Sequence, residues 1–200
     1  MQPQKAHIPK IVIKSIGGGL LLMALFTMAW AGIASGGLTG TGHWIILVVF
    51  GIISISFIIY GIKMFTLSKY FTAPTNEKDK AEGKRLSIWY GVIFGAEGII
   101  IPIVAGILVY FQKGNFIIPA IAMIVGLHFY PMASIFKRTI DYYLATWTCI
   151  VALSAIIATI YDIAPEATIF AFLGIGVAIA TSCYGFYMIY VGKDMTSSAI

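Results

Sequence analysis

The chain has 200 residues, of which 60% are apolar and only 10% charged, and it carries a net charge of +5. A soluble domain has about 25% charged residues, so this composition excludes a water-coated globule of any size. The basic residues lie between long apolar runs and no recognition motif accompanies them, which argues for membrane topology and against nucleic-acid binding.

About 20 consecutive apolar residues cross a bilayer, and six segments reach that length. The first, 11–34, follows Lys5 and Lys10; its apolar run is too long for the core of a cleaved signal and reads as a membrane helix. The glycine-rich stretch 35–42 leads to the second, 44–66. A polar connection, 67–86, holds Pro74, Asn76 and a mixed-charge run from Glu77 to Arg85. It is too short for a domain and is expected as a solvated loop that could also dock a cytoplasmic partner. The third segment, 87–111, is joined to the fourth, 116–136, by the tight turn Gln112-Lys113-Gly114-Asn115. The fifth, 140–161, is broken at Asp162 and Pro165 before the sixth, 167–191. The expected fold is all-α: one transmembrane domain, a polytopic bundle of six helices.

Orientation follows from the loops. Twelve of the thirteen Lys and Arg residues fall at the N-terminus, the 2–3 and 4–5 connections and the tail; only Lys113 falls on the other side. The positive-inside rule then places both termini in the cytoplasm. Trp44, Trp89, Tyr90, Tyr161 and Tyr190 lie near segment ends, where interfacial aromatics belong. Lys14 and Lys63 are expected to snorkel to the headgroups, and Asp141 to pair with Lys137 or Arg138 at the interface.

Cys149 and Cys183 sit inside apolar segments without metal-ligand spacing and read as free, small packing residues. The three histidines, His7, His43 and His128, are too scattered along the bundle to make one metal site. No HExxH, GxSxG or P-loop pattern is present, so no cofactor is implied and an enzyme is the least supported class.

Two residues stand out because charged or titratable groups deep in a bilayer are costly and usually purposeful. Glu97, in Gly95-Ala96-Glu97-Gly98, and His128, in Gly126-Leu127-His128-Phe129, each lie about 3 Å from the centre of their segments at 1.5 Å per residue. They are symmetric about the tight turn at Gln112 and Lys113, so antiparallel neighbours would hold them at one depth. Pro102 and Pro131 free the carbonyls of Gly98 and Leu127 respectively. A carboxylate, an imidazole and two free carbonyls would make a proton or cation site; the alternative is a hydrogen-bonded pair that locks two kinked helices together. Gly91, Gly95, Gly98 and Gly106 run along one side of segment 3, and Gly174 and Gly176 lie in segment 6. Small residues of this kind allow close helix approach, within the chain or between copies.

The stretch Gly126-Leu127-His128-Phe129-Tyr130-Pro131-Met132-Ala133, with Glu97 in the preceding helix and Tyr142-Tyr143 soon after, resembles a group of bacterial multi-pass inner-membrane proteins carrying Gly-Leu-His-Phe-x-Pro-(Leu/Met)-Ala. The resemblance covers roughly segments 3 to 5. It implies the bacterial cytoplasmic membrane and transfers no activity. The expected function is a small transporter or channel-like protein for protons, a cation or a small solute. The alternatives are a membrane sensor or assembly module, then a membrane-embedded enzyme.

Overall fold

The computed structural model describes residues 10–71 and 77–197; Lys5, His7, Pro74 and Asn76 lie outside the described residues. The fold is all-α, with no strand among those residues. Its long helices are α1 (Lys10–Gly36), α2 (Thr41–Leu67), α3 (Glu77–Tyr110), α4 (Ile117–Phe136), α5 (Thr139–Ile160) and α6 (Glu166–Ser197). All six are long and apolar enough to cross a membrane. Lys10, Lys69, Arg138 and Lys193 mark one end of the bundle, the basic end; Gly37, Lys113 and Asp162 mark the opposite end.

The main departure from the sequence expectation is the 67–86 connection. A short 3-10 turn, Ser68–Tyr70, follows α2, and the mixed-charge run is helical. It extends α3 to 34 residues. Glu, Lys, Ala and Arg are strong helix formers, and the Glu77–Lys80 ion pair at 2.8 Å adds an i,i+3 contact on its surface. Helix 6 likewise runs on to Ser197.

Helix 6 is the hub. It packs extensively on α1, on α5 and to a lesser degree on α2 and α4, while α4 packs on α5 and α3. Of the membrane-spanning window of α6, 67% is buried, against 6% for α3, so α3 is a peripheral helix held chiefly through α4. The core divides by depth. Leu20, Phe57, Met64, Phe129 and Met188 fill the basic half; Trp30, Phe50, Ala152, Leu173 and Val177 fill the other. Thr27 of α1 and Thr181 of α6 share a buried hydrogen bond of 2.9 Å between them. The Trp147 indole of α5 donates to the Gly176 carbonyl of α6 at 2.8 Å. Both bonds satisfy polar groups within helices long and apolar enough to cross a membrane.

Glycine works as a spacer at some positions and not at others. A Cβ on Gly174 would lie 2.6 Å from the Ala34 amide nitrogen and 2.7 Å from the Trp30 carbonyl oxygen, so α1 and α6 meet backbone to backbone there. Gly126 of α4 receives Cys149 of α5 in the same way. By contrast, a Cβ on Gly91, Gly95, Gly98 or Gly106 would meet nothing within 4 Å. The glycine stripe of α3 therefore faces outward, correcting its reading as a packed face within the chain. Cys183 is also exposed and does not pack in the core.

Candidate functional site

Tyr90, Phe94, Glu97 and Ile101 recur at four- and three-residue steps and form one face of α3. Ile118, Ile121, Val125, His128 and Met132 do the same on α4, since residues three and four apart share a helix face. On α1 the matching face runs from Ser15 past Gly18, Leu22 and Phe26 to Ile33. α1 and α3 do not pack substantially on each other, and the three faces with Tyr184 and Met188 of α6 line a partly open cavity of about 510 Å³. From Ser15 to Ile33 it extends roughly 27 Å along the bundle at 1.5 Å per residue, close to the thickness of a hydrocarbon core.

Glu97 and His128 meet on this wall. Glu97 Oε2 lies 3.4 Å from His128 Nδ1, with side-chain exposures of 13% and 10%. The contact falls outside hydrogen-bond geometry, and neither atom has another hydrogen-bond partner among the described residues. Buried polar atoms are rarely left so; Ser54 Oγ and both carboxylate oxygens of Asp141 share this state. The imidazole is stacked on Phe129 at 4.3 Å and tilted against Phe94 at 5.6 Å, so its ring plane is fixed by aromatic neighbours on both helices.

The other residues expected at the site lie elsewhere. Gly98, Pro102 and Pro131 are on exposed helix faces, and the Leu127 side chain is 52% exposed; none lines the cavity. Tyr142 and Tyr143 also point outward. His43 is bound to the Ser35 carbonyl through Nδ1 at 2.9 Å and pins the α1–α2 turn. Among the described residues no three His, Cys, Asp or Glu side chains cluster as metal ligands.

At the basic end the cavity closes on a cluster that the sequence reading did not assemble. Lys137 ends α4 in the left-handed conformation, φ 53°, and the Arg138 amide bonds back to the Ala133 carbonyl at 3.1 Å. This helix-ending turn leaves Arg138 extended and aims its side chain into the bundle. Its Nη1 donates to the Tyr184 hydroxyl of α6 at 2.7 Å and its Nη2 to the Tyr90 hydroxyl of α3. Its Nε faces Asp141 Oδ2 of α5 at 3.9 Å. Arg138 is thus the partner of Asp141. The carboxylate, expected at the interface, is fully buried, and Tyr90, expected as an interfacial anchor, is part of the cluster. Burial alone would lower the pKa of Arg138, but Tyr184, Tyr90 and Asp141 outweigh it and raise the pKa above its ordinary value. The guanidinium is therefore permanently charged, and it joins α3, α5 and α6 at one point.

No family model, curated protein or solved structure matches the chain.

Proposed function

We propose that this protein is a small transporter of the bacterial cytoplasmic membrane, with both termini inside, in which the Glu97–His128 pair takes up and releases a proton as a solute occupies the cavity. The observation that carries the reading is the carboxylate–imidazole contact of 3.4 Å on the wall of a cavity as long as the bilayer core is thick. Ionisable groups in this position serve transport far more naturally than packing, because a lock between two helices has no need of a cavity beside it. The peripheral α3 carries one half of the pair. A helix held chiefly through one neighbour can move relative to α1 at small cost in packing, which alternating exposure of the site requires.

The wall offers few polar atoms besides Glu97, His128 and the Arg138 cluster. That composition favours a solute with an apolar body over a hydrated metal ion, which needs several oxygen ligands. A second reading, a sensor that passes ligand binding to a partner, draws on the α3 extension: one rigid helix joins the cavity wall to the charged surface around Glu77 and Lys80. The two are separated by reconstitution. Proteoliposomes bearing the wild-type protein should show pH-gradient-driven uptake of some of a panel of small organic solutes, and Glu97→Gln should abolish it. Absence of flux for every solute, with a stoichiometric partner co-purifying, would favour the sensor.

A further inference from the structure

We propose that the cavity takes a lipophilic organic monocation, held by the Glu97 carboxylate against an aromatic wall. The inference rests on the proposed function, since it names the cargo of the same site.

Charge comes first. The ionisable groups that face the cavity are Glu97 and Tyr90 from α3, His128 from α4, Arg138 at the α4–α5 junction and Tyr184 from α6; α1 brings no charged side chain to the wall. Asp141 lies behind Arg138 at 3.9 Å and cancels its charge. With a neutral imidazole and neutral phenols, the wall carries one net negative charge, and it sits on Glu97. Arg138 is a poor receptor for an anion. Two of its five N–H groups already donate to tyrosine hydroxyls, and the buried Asp141 carboxyl beside it disfavours a second anion.

The wall and its size point the same way. Phe26, Trp30, Phe94 and Phe129 line the space, and aromatic faces attract cations, most strongly once desolvated. A volume of about 510 Å³ lies within the range that holds a drug-sized ligand, roughly 300–1,000 Å³. A cation and a proton then compete for one carboxylate. Starting from the protonated pair, whose wall is neutral, binding of the cation releases one proton and leaves Glu97 ionised, and rebinding of a proton expels the cation, so charge balances in each direction.

Tetraphenylphosphonium and tetraphenylborate test this directly, because they share shape and differ in sign. Equilibrium dialysis of each against the purified full chain in detergent should show saturable binding of the cation alone, tightening at least about tenfold from about pH 5.5 to about pH 8 as the pair loses its proton. Glu97→Gln should weaken cation binding at least about tenfold and remove its pH dependence, since the loss is that of a full charge in a poorly screened site. Gly18→Leu provides a check that leaves the pair untouched. A Cβ there meets nothing within 4 Å and Gly18 lines the cavity, so the larger side chain should occupy part of the space and weaken binding, with unchanged thermal unfolding as the check on folding. Borate binding as tight as phosphonium binding, no saturable phosphonium binding, or binding indifferent to Glu97→Gln would each overturn the proposal. Proton-driven transport of another solute without phosphonium binding would remove the cargo class and leave the transport reading. Phosphonium binding without any flux would do the reverse.

Discussion

Glu97 Oε2 and His128 Nδ1 stand 3.4 Å apart on two helices that are joined by a turn more than ten residues away from either. The pair lies on a mostly apolar wall. The proposed function requires the two groups to gain and lose protons as a unit. Glu97→Gln keeps the size of the side chain and removes its charge. Its thermal unfolding in detergent should stay close to wild type while pH-dependent flux disappears. A large loss of stability with normal flux would make the pair a structural lock instead.

The Arg138 cluster should behave in the opposite way. Asp141→Asn leaves the guanidinium without its buried counter-charge and should cost about 3–5 kcal/mol. Tyr90→Phe removes one hydrogen bond to a charged group and should cost about 1.5–3 kcal/mol. Thermal unfolding of each variant reads both. Because the pKa of Arg138 is raised, its contribution is fully present below the ordinary arginine value and is lost only at more alkaline pH. Arg138 itself therefore adds no pH dependence between about pH 5 and 8.

Glycines divide by what they face. Gly174→Ala pushes a methyl group into the α1 backbone and should destabilise the bundle by about 1–3 kcal/mol, as overpacking does. Gly95→Ala enters open space and should be neutral or stabilising by up to about 1 kcal/mol, from helix propensity alone. Equal losses at both positions would show that α3 is packed against another chain in the preparation measured.

These glycines also show what could be read from the sequence. The six spans were legible because crossing a bilayer requires length and apolarity, and both are local properties. The matching depth of Glu97 and His128 was legible because helical rise and a tight turn fix it. Helix rotation was not. One residue turns an α-helix by about 100°, so the stripe Gly91, Gly95, Gly98 and the stripe Tyr90, Phe94, Glu97 differ by a single step. In a soluble helix, polarity would tell the two faces apart; in a membrane bundle both faces are apolar, and small residues suggested the wrong one. The Arg138 cluster escaped because it depends on a left-handed lysine, Lys137, where glycine is the usual signal. The charged run after residue 76 read as a loop because its charges suggested only solvation.

Topology is checked by labelling. Cysteines placed at Lys80 and Lys113, with Cys149 and Cys183 replaced by Ala, should react with membrane-impermeant reagents from opposite sides of right-side-out vesicles, Lys113 from outside. Reaction of both from one side would contradict the alternation of six spans.

The central claim, that Glu97 and His128 form one proton-binding unit, is tested most directly by infrared titration of the carboxyl C=O stretch in the reconstituted protein. A protonated-carboxyl band should titrate in the wild type and be absent in Glu97→Gln, and its midpoint should move when His128 is replaced by Gln. A band that survives Glu97→Gln, or a midpoint unchanged by His128→Gln, would contradict the account.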